Sequence, residues 1–172
     1  MTLIARRSLL IALAAAPAVY SSLAHAVDAL PDARFVGFAQ VVNDFSISSG
    51  QLALSRSTNE NVRGYATRAI AEHTSAAQSL SKSRSEAGVS YAPDGNMGPM
   101  TANALARLQS LQGPEFDAAF AGAQLAVQTA AVDQIGAYSQ NGSSGPLRRY
   151  AQLMLPKSKM FLEYAQRLAG GR

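Results

Sequence analysis

The chain of 172 residues contains no cysteine and only two histidines, and both facts restrict its chemistry. Without cysteine it can form no disulfide, no thiolate metal ligand and no nucleophilic thiol, and it cannot be a bacterial lipoprotein anchored through a modified cysteine. The two histidines are His25 and His73. A folded form must therefore be stabilised by packing, and any imidazole chemistry depends on one or two residues.

The sequence also lacks the alternation of apolar and polar residues that is typical of β-strands. No proline falls between Pro31 and Pro93, and apolar residues recur along this stretch at spacings of three and four. Such spacing places the apolar side chains on one face of an α-helix. We therefore predict an all-α protein.

Four long amphipathic helices and one short helix account for the pattern. The predicted ranges are about 32–56, 57–88, 100–111, 114–140, and from the loop at 141–146 to about 169. Ser57 and Glu60 have the spacing of a capping box that begins the second helix, and Gly88 is a residue type that commonly ends one. The economical fold is an antiparallel four-helix bundle with a short extra helix between the second and third long helices.

The first 26 residues have the three parts of a cleaved export signal. Arg6 and Arg7 precede an apolar run, and Ala24-His25-Ala26 has the small-x-small pattern of a cleavage site. We expect the mature chain to begin near Val27 and to be exported by the Sec or the twin-arginine route. Residues 27–34 would then form an N-terminal segment, and residues 35–169 a single helical domain. No other run is long and apolar enough to span a membrane.

The charge of the mature chain gives little reason to expect a nucleic-acid partner. The formal net charge is +4, and loss of the two signal arginines leaves 13 basic residues against 11 acidic ones, a net charge of about +2. The nearest approach to a basic cluster is Arg148 and Arg149 with Lys157 and Lys159. This cluster lacks the interleaved aromatic residues of a base-stacking surface, so a solvated helix face explains it better.

Five stretches of the sequence, in this order, resemble the bacterial family known as domain of unknown function 4142. They are FVGFAQ, GQLAL, VRGYATRAIAEHT, LQSLQGPEFDAAF and YAQLMLP. The resemblance covers roughly residues 35–169, and its most specific parts are the turn and helix start at 113–120 and Leu155-Pro156. It implies an exported, ferritin-like helical bundle, and it implies no established reaction.

The resemblance also implies polar positions inside the bundle. The family pattern has a carboxylate in the first helix, an acidic residue beside a histidine in the second, and one histidine in each of the third and fourth long helices. Only the second-helix pair, Glu72 with His73, is present in this sequence. The positions that match the other three hold Ser46, Gln128 and Phe161.

The residues themselves argue against a metal centre at this position. A ferritin-type site for two metal ions needs several carboxylates and usually two Glu-x-x-His pairs. This sequence has no Glu-x-x-His, and the adjacent Glu72 and His73 point about 100° apart around a helix. We therefore predict no catalytic site, no cofactor and no metal site, Glu72 and His73 being the only candidates for metal ligands.

The alternative role for His73 is that of a core histidine, hydrogen-bonded to a polar group on a facing helix. The candidate polar residues of the core are Ser46, His73 and Gln128, and the expected partners of the imidazole are Ser46, Ser49, Gln124 and Gln128. We favour this interpretation over the metal site.

The sequence thus predicts an exported, non-catalytic helical bundle that acts by binding or structural interaction in the bacterial periplasm or cell envelope. Its partner would be a protein or a small ligand that the sequence does not identify. The alternative is a ferritin-like metal-binding protein or oxidoreductase with a degenerate metal site. A third interpretation is a bundle that opens its apolar helices onto a lipid or another hydrophobic ligand.

Overall fold

The computed structural model describes residues 27–170, so the predicted export signal at residues 1–26 lies outside it. In the described range the chain forms five helices and no strand. The helices are α1 (Asp32–Arg56), α2 (Glu60–Ala87), α3 (Met97–Gln109), α4 (Gly113–Asn141) and α5 (Gly145–Ala169). The predicted all-α bundle with a short extra helix after the second helix is therefore confirmed.

The four long helices form two antiparallel hairpins, α1–α2 and α4–α5, which pack against each other. The start of α1 meets the end of α4, because Tyr138 and Ser143 both donate hydrogen bonds to Asp32. The end of α1 meets the start of α4, where Arg56 donates to the carbonyl oxygen of Leu111 at 3.0 Å. The helix α3 packs on α1 and carries the chain back along the bundle, which makes it a long crossover between the hairpins.

The N-terminus of α2 differs from the predicted capping box. The backbone N–H of Ser57 bonds to the carbonyl oxygen of Ala53, so Ser57 closes the last turn of α1. The side chain of Asn59 caps α2 instead, accepting from the backbone N–H groups of Asn61 at 2.9 Å and Val62 at 3.4 Å. The predicted capping box was wrong because Ser57 ends α1 and α2 starts at Glu60, which makes Glu60 the first residue of the helix and not the third. The predicted end at Gly88 is confirmed by its left-handed backbone, with φ of 64°.

The helix α3 begins at Met97, three residues before its predicted start. The Asp94 carboxylate accepts from the backbone N–H groups of Asn96 at 3.0 Å and Met97 at 2.6 Å. These bonds satisfy donors that a helix N-terminus leaves free, so the helix can start inside the glycine- and proline-rich stretch. Pro99 lies in the first turn, where its missing N–H costs nothing.

The core consists of two apolar clusters separated by a layer of uncharged polar side chains. One cluster includes Phe35 and Leu80, and the other includes Phe116 and Phe120. Between them every long helix contributes buried polar residues, which we call the polar belt: Asn43, Ser46 and Ser49 of α1, His73 of α2, Gln124 and Gln128 of α4, and Ser158 of α5. Each member is at most 8% exposed.

Two of the four residues of the basic cluster pair with acidic residues of α2. The Lys157 Nζ lies 2.8 Å from Glu72 Oε2, and an Arg149 nitrogen lies 3.7 Å from Glu86 Oε2. All four side chains are substantially exposed, so each pair contributes at most about 1 kcal/mol to stability. None of the helices in residues 27–170 has the combination of length and apolar composition that crossing a bilayer requires.

Candidate functional site

The first network of the polar belt joins α1, α2 and α5 through Asn43. The Asn43 side-chain oxygen lies 2.9 Å from Nδ1 of His73, and its side-chain nitrogen donates to the Tyr150 hydroxyl at 3.5 Å. Because a carbonyl oxygen can only accept, the proton of the neutral imidazole is on Nδ1. The other ring nitrogen, Nε2, then presents a lone pair.

The second network lies nearer the other end of the bundle and joins α1, α2 and α4. Tyr65 donates to the side-chain oxygen of Gln124 at 3.1 Å, and the Gln124 nitrogen donates to the Ser49 hydroxyl at 2.8 Å. The Ser49 hydroxyl in turn donates to the carbonyl oxygen of Phe45 at 2.6 Å. Every polar atom of the Gln124 amide group therefore has a partner.

Between these two networks lie polar atoms that lack a partner. Ser46 is one turn along α1 from Ser49, and Gln128 is one turn along α4 from Gln124. Both are 0% exposed. The Ser46 hydroxyl and both polar atoms of the Gln128 amide form no hydrogen bond to any residue in the range 27–170. The Tyr65 hydroxyl lies near Gln128 without the geometry of a hydrogen bond. Unpaired groups of this kind are uncommon in a protein interior.

The four positions that the family resemblance marks lie one on each long helix, and all are buried: Ser46, His73, Gln128 and Phe161. Phe161 lies directly beside the imidazole, with 5.2 Å between the ring centroids. Glu72 does not join them, because its side chain is 37% exposed and bound to Lys157. The two residues that the sequence offered as metal ligands therefore line one cavity in different ways: His73 is buried, and Glu72 lies at the exposed rim, bound to Lys157.

Burial controls the protonation of His73. It lowers the pKa of the imidazole from 6.5 to about 4, because an imidazolium ion in the apolar interior would lose its hydration. The Glu72 carboxylate opposes this shift and the Lys157 ammonium adds to it, and both effects are smaller than that of burial. Burial likewise raises the pKa of Tyr150 to about 12. Both groups are therefore neutral over the physiological range.

Two of the residues that line the cavity beside His73 are charged, Glu72 and Lys157, and both lie at its rim. The hydrogen bond from Lys157, followed by its charge, lowers the pKa of Glu72. This pair bridges α2 and α5 on the outer side of His73. The arrangement is thus a neutral interior closed on one side by an ion pair.

The donor set offers a metal ion little. In the described part of the chain, no three side chains of histidine, cysteine, aspartate or glutamate lie close enough together to hold a cation. The belt itself presents hydroxyls, amides and one imidazole, all uncharged. Hard cations such as iron and manganese are usually held by carboxylates. The polar belt contains no carboxylate.

The hydrogen-bond partner of His73 is Asn43, which was not among the four expected partners. Those four also belong to the polar belt, but Ser49 and Gln124 bind each other, and Gln124 accepts from Tyr65. Asn43 was missed because it is not one of the aromatic residues Phe35, Phe38 and Phe45, which mark a buried face of α1 in the sequence. A second row of buried residues recurs at spacings of four and three along α1: Ala39, Asn43, Ser46 and Gly50. This spacing was the signal in the sequence that could have placed Asn43 in the interior.

A second concave region lies on the surface between α3 and α4, with a volume of about 760 Å³. Its floor is made of small side chains, including Ala118, Ala119 and Gly122, and its only charged lining residues are Arg107 and Glu115. The groove offers few polar groups to orient a ligand. The polar belt, which combines burial with shifted pKa values, is the better candidate site.

From the unpaired amide of Gln128 we predict the effect of its replacement on the free energy of unfolding. Gln128→Met, which keeps the volume and removes both unpaired atoms, should raise the free energy of unfolding by about 1–2 kcal/mol. The matched control is Gln124→Met, one turn away on the same helix, which leaves the Tyr65 hydroxyl without an acceptor and should lower it by about 2 kcal/mol. Urea unfolding of both variants measures the difference. Equal losses would mean that Gln128 has a partner of its own.

Comparison with known proteins identifies one similarity. The profile of a family described as a domain of unknown function (DUF4142) matches residues 17–168. This range holds the whole polar belt, from Asn43 in α1 to Ser158 in α5. No curated protein and no solved structure matches the chain.

Proposed function

The chain belongs to the DUF4142 family, whose description assigns no activity. We therefore propose a function from the buried residues of the bundle and from the N-terminal sequence. We propose that the protein is an exported, non-catalytic helical bundle that acts by binding or structural interaction in the bacterial periplasm or cell envelope. Its N-terminal sequence supports export by the Sec or the twin-arginine route. Its partner is an unidentified protein or small ligand.

One observation carries the non-catalytic part of the proposal. Inside the bundle, three buried positions that hold an acidic residue or a histidine in the family pattern hold Ser46, Gln128 and Phe161 in this chain. The remaining histidine, His73, is neutral and bonded to Asn43. An interior of this composition favours packing and specificity over redox chemistry.

The topology supports a ferritin-like description of the bundle. Two antiparallel hairpins joined by one long crossover is the arrangement found in ferritin-like folds. Here the crossover contains α3 and runs from Gly88 to Gln112. We propose that the fold is ferritin-like in connectivity, and that its interior has no ferritin-like metal ligands.

The second candidate function is a metal-binding protein or oxidoreductase with a degenerate site. It is favoured by Nε2 of His73, which is buried and has no hydrogen-bond partner in residues 27–170. Against it, Glu72 already binds Lys157, and no further anionic ligand lines the interior at this point. A single imidazole lone pair, with no anionic ligand beside it except the carboxylate already paired with Lys157, binds iron or manganese poorly.

Metal analysis of the mature protein, purified from its native host without chelator, tests the two functions. The proposal predicts no stoichiometric iron, manganese or zinc, and the same trace content in His73→Gln and Glu72→Gln. Stoichiometric metal that is lost in His73→Gln would establish the second candidate.

The binding role has its own test in mild cross-linking of the natively expressed protein. A partner should be captured at a fixed stoichiometry, and Gln128→Met, which changes only the interior, should capture the same amount. Capture of nothing beyond background, together with turnover of a redox substrate, would contradict a binding role.

N-terminal sequencing of the exported form should give a start at or near Val27, and an intact Met1 would contradict signal cleavage.

A further inference from the structure

A small cavity of about 20 Å³ lies beside His73 in the polar belt. Its polar lining comes from Asn43, His73, Tyr150 and Ser158, and the Glu72–Lys157 pair closes its outer side. A cavity of this volume holds one water molecule and not two. Any occupant is therefore of that size.

The donors and acceptors around the cavity show what the occupant must offer. Nδ1 of His73 is satisfied by Asn43, while Nε2 is a buried acceptor without a partner among residues 27–170. The Tyr150 oxygen accepts from Asn43, and within the described residues its own proton meets no acceptor. The cavity thus presents one unused acceptor and one unused donor, and both residues are buried, His73 being 8% and Tyr150 3% exposed.

We propose that this cavity is a binding site for one water molecule, which accepts a hydrogen bond from Tyr150 and donates one to Nε2 of His73. The water completes a closed ring of hydrogen bonds through Asn43, and the Ser158 hydroxyl is a third polar group within the lining. Such a water is a permanent part of the fold, since buried waters typically make about three hydrogen bonds.

Other small occupants fit the two groups less well. A metal cation would bind the Nε2 lone pair but would face the Tyr150 proton, and no anionic ligand other than the paired Glu72 lines the cavity. An ammonium ion has only donors and leaves the Tyr150 proton without an acceptor. Water both donates and accepts, as the two groups require.

The Glu72–Lys157 pair controls access to the site. Both side chains are about 40% exposed, and together they bridge α2 and α5 over the cavity. All other residues of the cavity lining are buried, so we expect the bound water to exchange with solvent past this pair. Lys157→Met should therefore shorten the residence time of the water without removing it.

A crystal structure of the mature protein at high resolution, grown without added metal, tests the assignment. Density for one water should lie at roughly 2.7–3.0 Å from both Nε2 of His73 and the Tyr150 oxygen. An empty cavity, or density without anomalous signal that contacts only one of the two atoms, would overturn it. Density at roughly 2.0–2.1 Å from Nε2 with an anomalous signal would show a metal ion instead.

Nuclear magnetic resonance in solution provides a second measurement. Wild type should show magnetisation transfer from a long-lived water to the ring protons of His73, and the ¹⁵N shifts should place the proton on Nδ1. Tyr150→Phe removes one partner of the water and should abolish or strongly reduce the transfer. Tyr164→Phe, a conservative change of a partly exposed tyrosine on the same helix, should leave it unchanged. A ring protonated on Nε2, or equal transfer in Tyr150→Phe, would overturn the proposed pair of bonds.

Discussion

Gly37→Ala should destabilise the protein by about 3 kcal/mol, because no space exists for a single added methyl group. A Cβ atom built on Gly37 would lie 1.8 Å from the carbonyl oxygen of Ala92, which is backbone and cannot rotate away. The segment around Ala92 is held on α1 by its N–H bond to the Ala33 carbonyl oxygen at 3.2 Å. Accommodating the methyl group must displace this segment and loosen the start of α3.

The matched control is Gly64→Ala on the exposed face of α2. A Cβ at Gly64 meets nothing within 4 Å, so the variant should gain about 0.5–1 kcal/mol from the higher helix propensity of alanine. Thermal and urea unfolding of the two variants should therefore give shifts of opposite sign. Similar stabilities would mean that the segment at Ala92 does not rest on α1.

Acidification should remove about 3 kcal/mol of stability through the titration of His73 alone. Its pKa is 6.5 in an exposed chain and about 4 in the fold, so the unfolded state binds more protons between these values. Stability therefore rises with pH across this window, and it is lost as the pH falls from 6.5 to about 4. A difference of about 2.5 pKa units corresponds to about 3 kcal/mol.

The control for this prediction is His73→Gln, which keeps a polar side chain of similar size. Its free energy of unfolding should change little between pH 6.5 and 4.5. Carboxylates such as Asp32 contribute separately: burial raises the pKa of Asp32, but hydrogen bonds from Ser143 and Tyr138 outweigh it and lower the pKa. That stability is lost at lower pH, as the carboxylate itself is protonated. A wild type and a variant with the same slope between pH 6.5 and 4.5 would contradict a buried neutral His73.

The periodicity of the sequence was sufficient to predict the helices and much of the core. In α2, Val62, Ala69 and His73 recur at spacings of seven and four along the helix, which places them on one face, and all three are buried. This works because a helix of several turns repeats its buried face, so one mistaken position does not hide the pattern. The burial of His73 followed from this repeat alone.

Helix ends and the pairing of interior polar groups were harder to predict. Ser57 and Asn59 both have side chains that can cap a helix, and the choice between them depends on where α1 ends and α2 starts. The bond between Asn43 and His73 joins residues 30 positions apart. Its formation depends on how α1 packs against α2, where Gly50 lets Ala66 and Ile70 approach closely, and no local sequence pattern records this packing.

The polar belt was predicted only in part for the same reason. Ser46 and Gln128 were identified because they match marked positions of the family pattern, whereas Ser158 and the Tyr150 hydroxyl match none. A buried serine on a helix has the same sequence appearance as an exposed one. Which serine side chains lie in the polar belt is decided by the contacts between the four long helices.

We expect His73 to be a neutral core histidine that binds no metal, and an NMR titration of its imidazole measures both properties at once. The titration should be run on the mature protein, first as purified and then with zinc or manganese added in small excess. We expect a pKa of about 4 for the imidazole, the proton on Nδ1, and His73 resonances that do not respond to either metal. A pKa at or above 6.5, or a tight metal complex that disappears in His73→Gln, would contradict it.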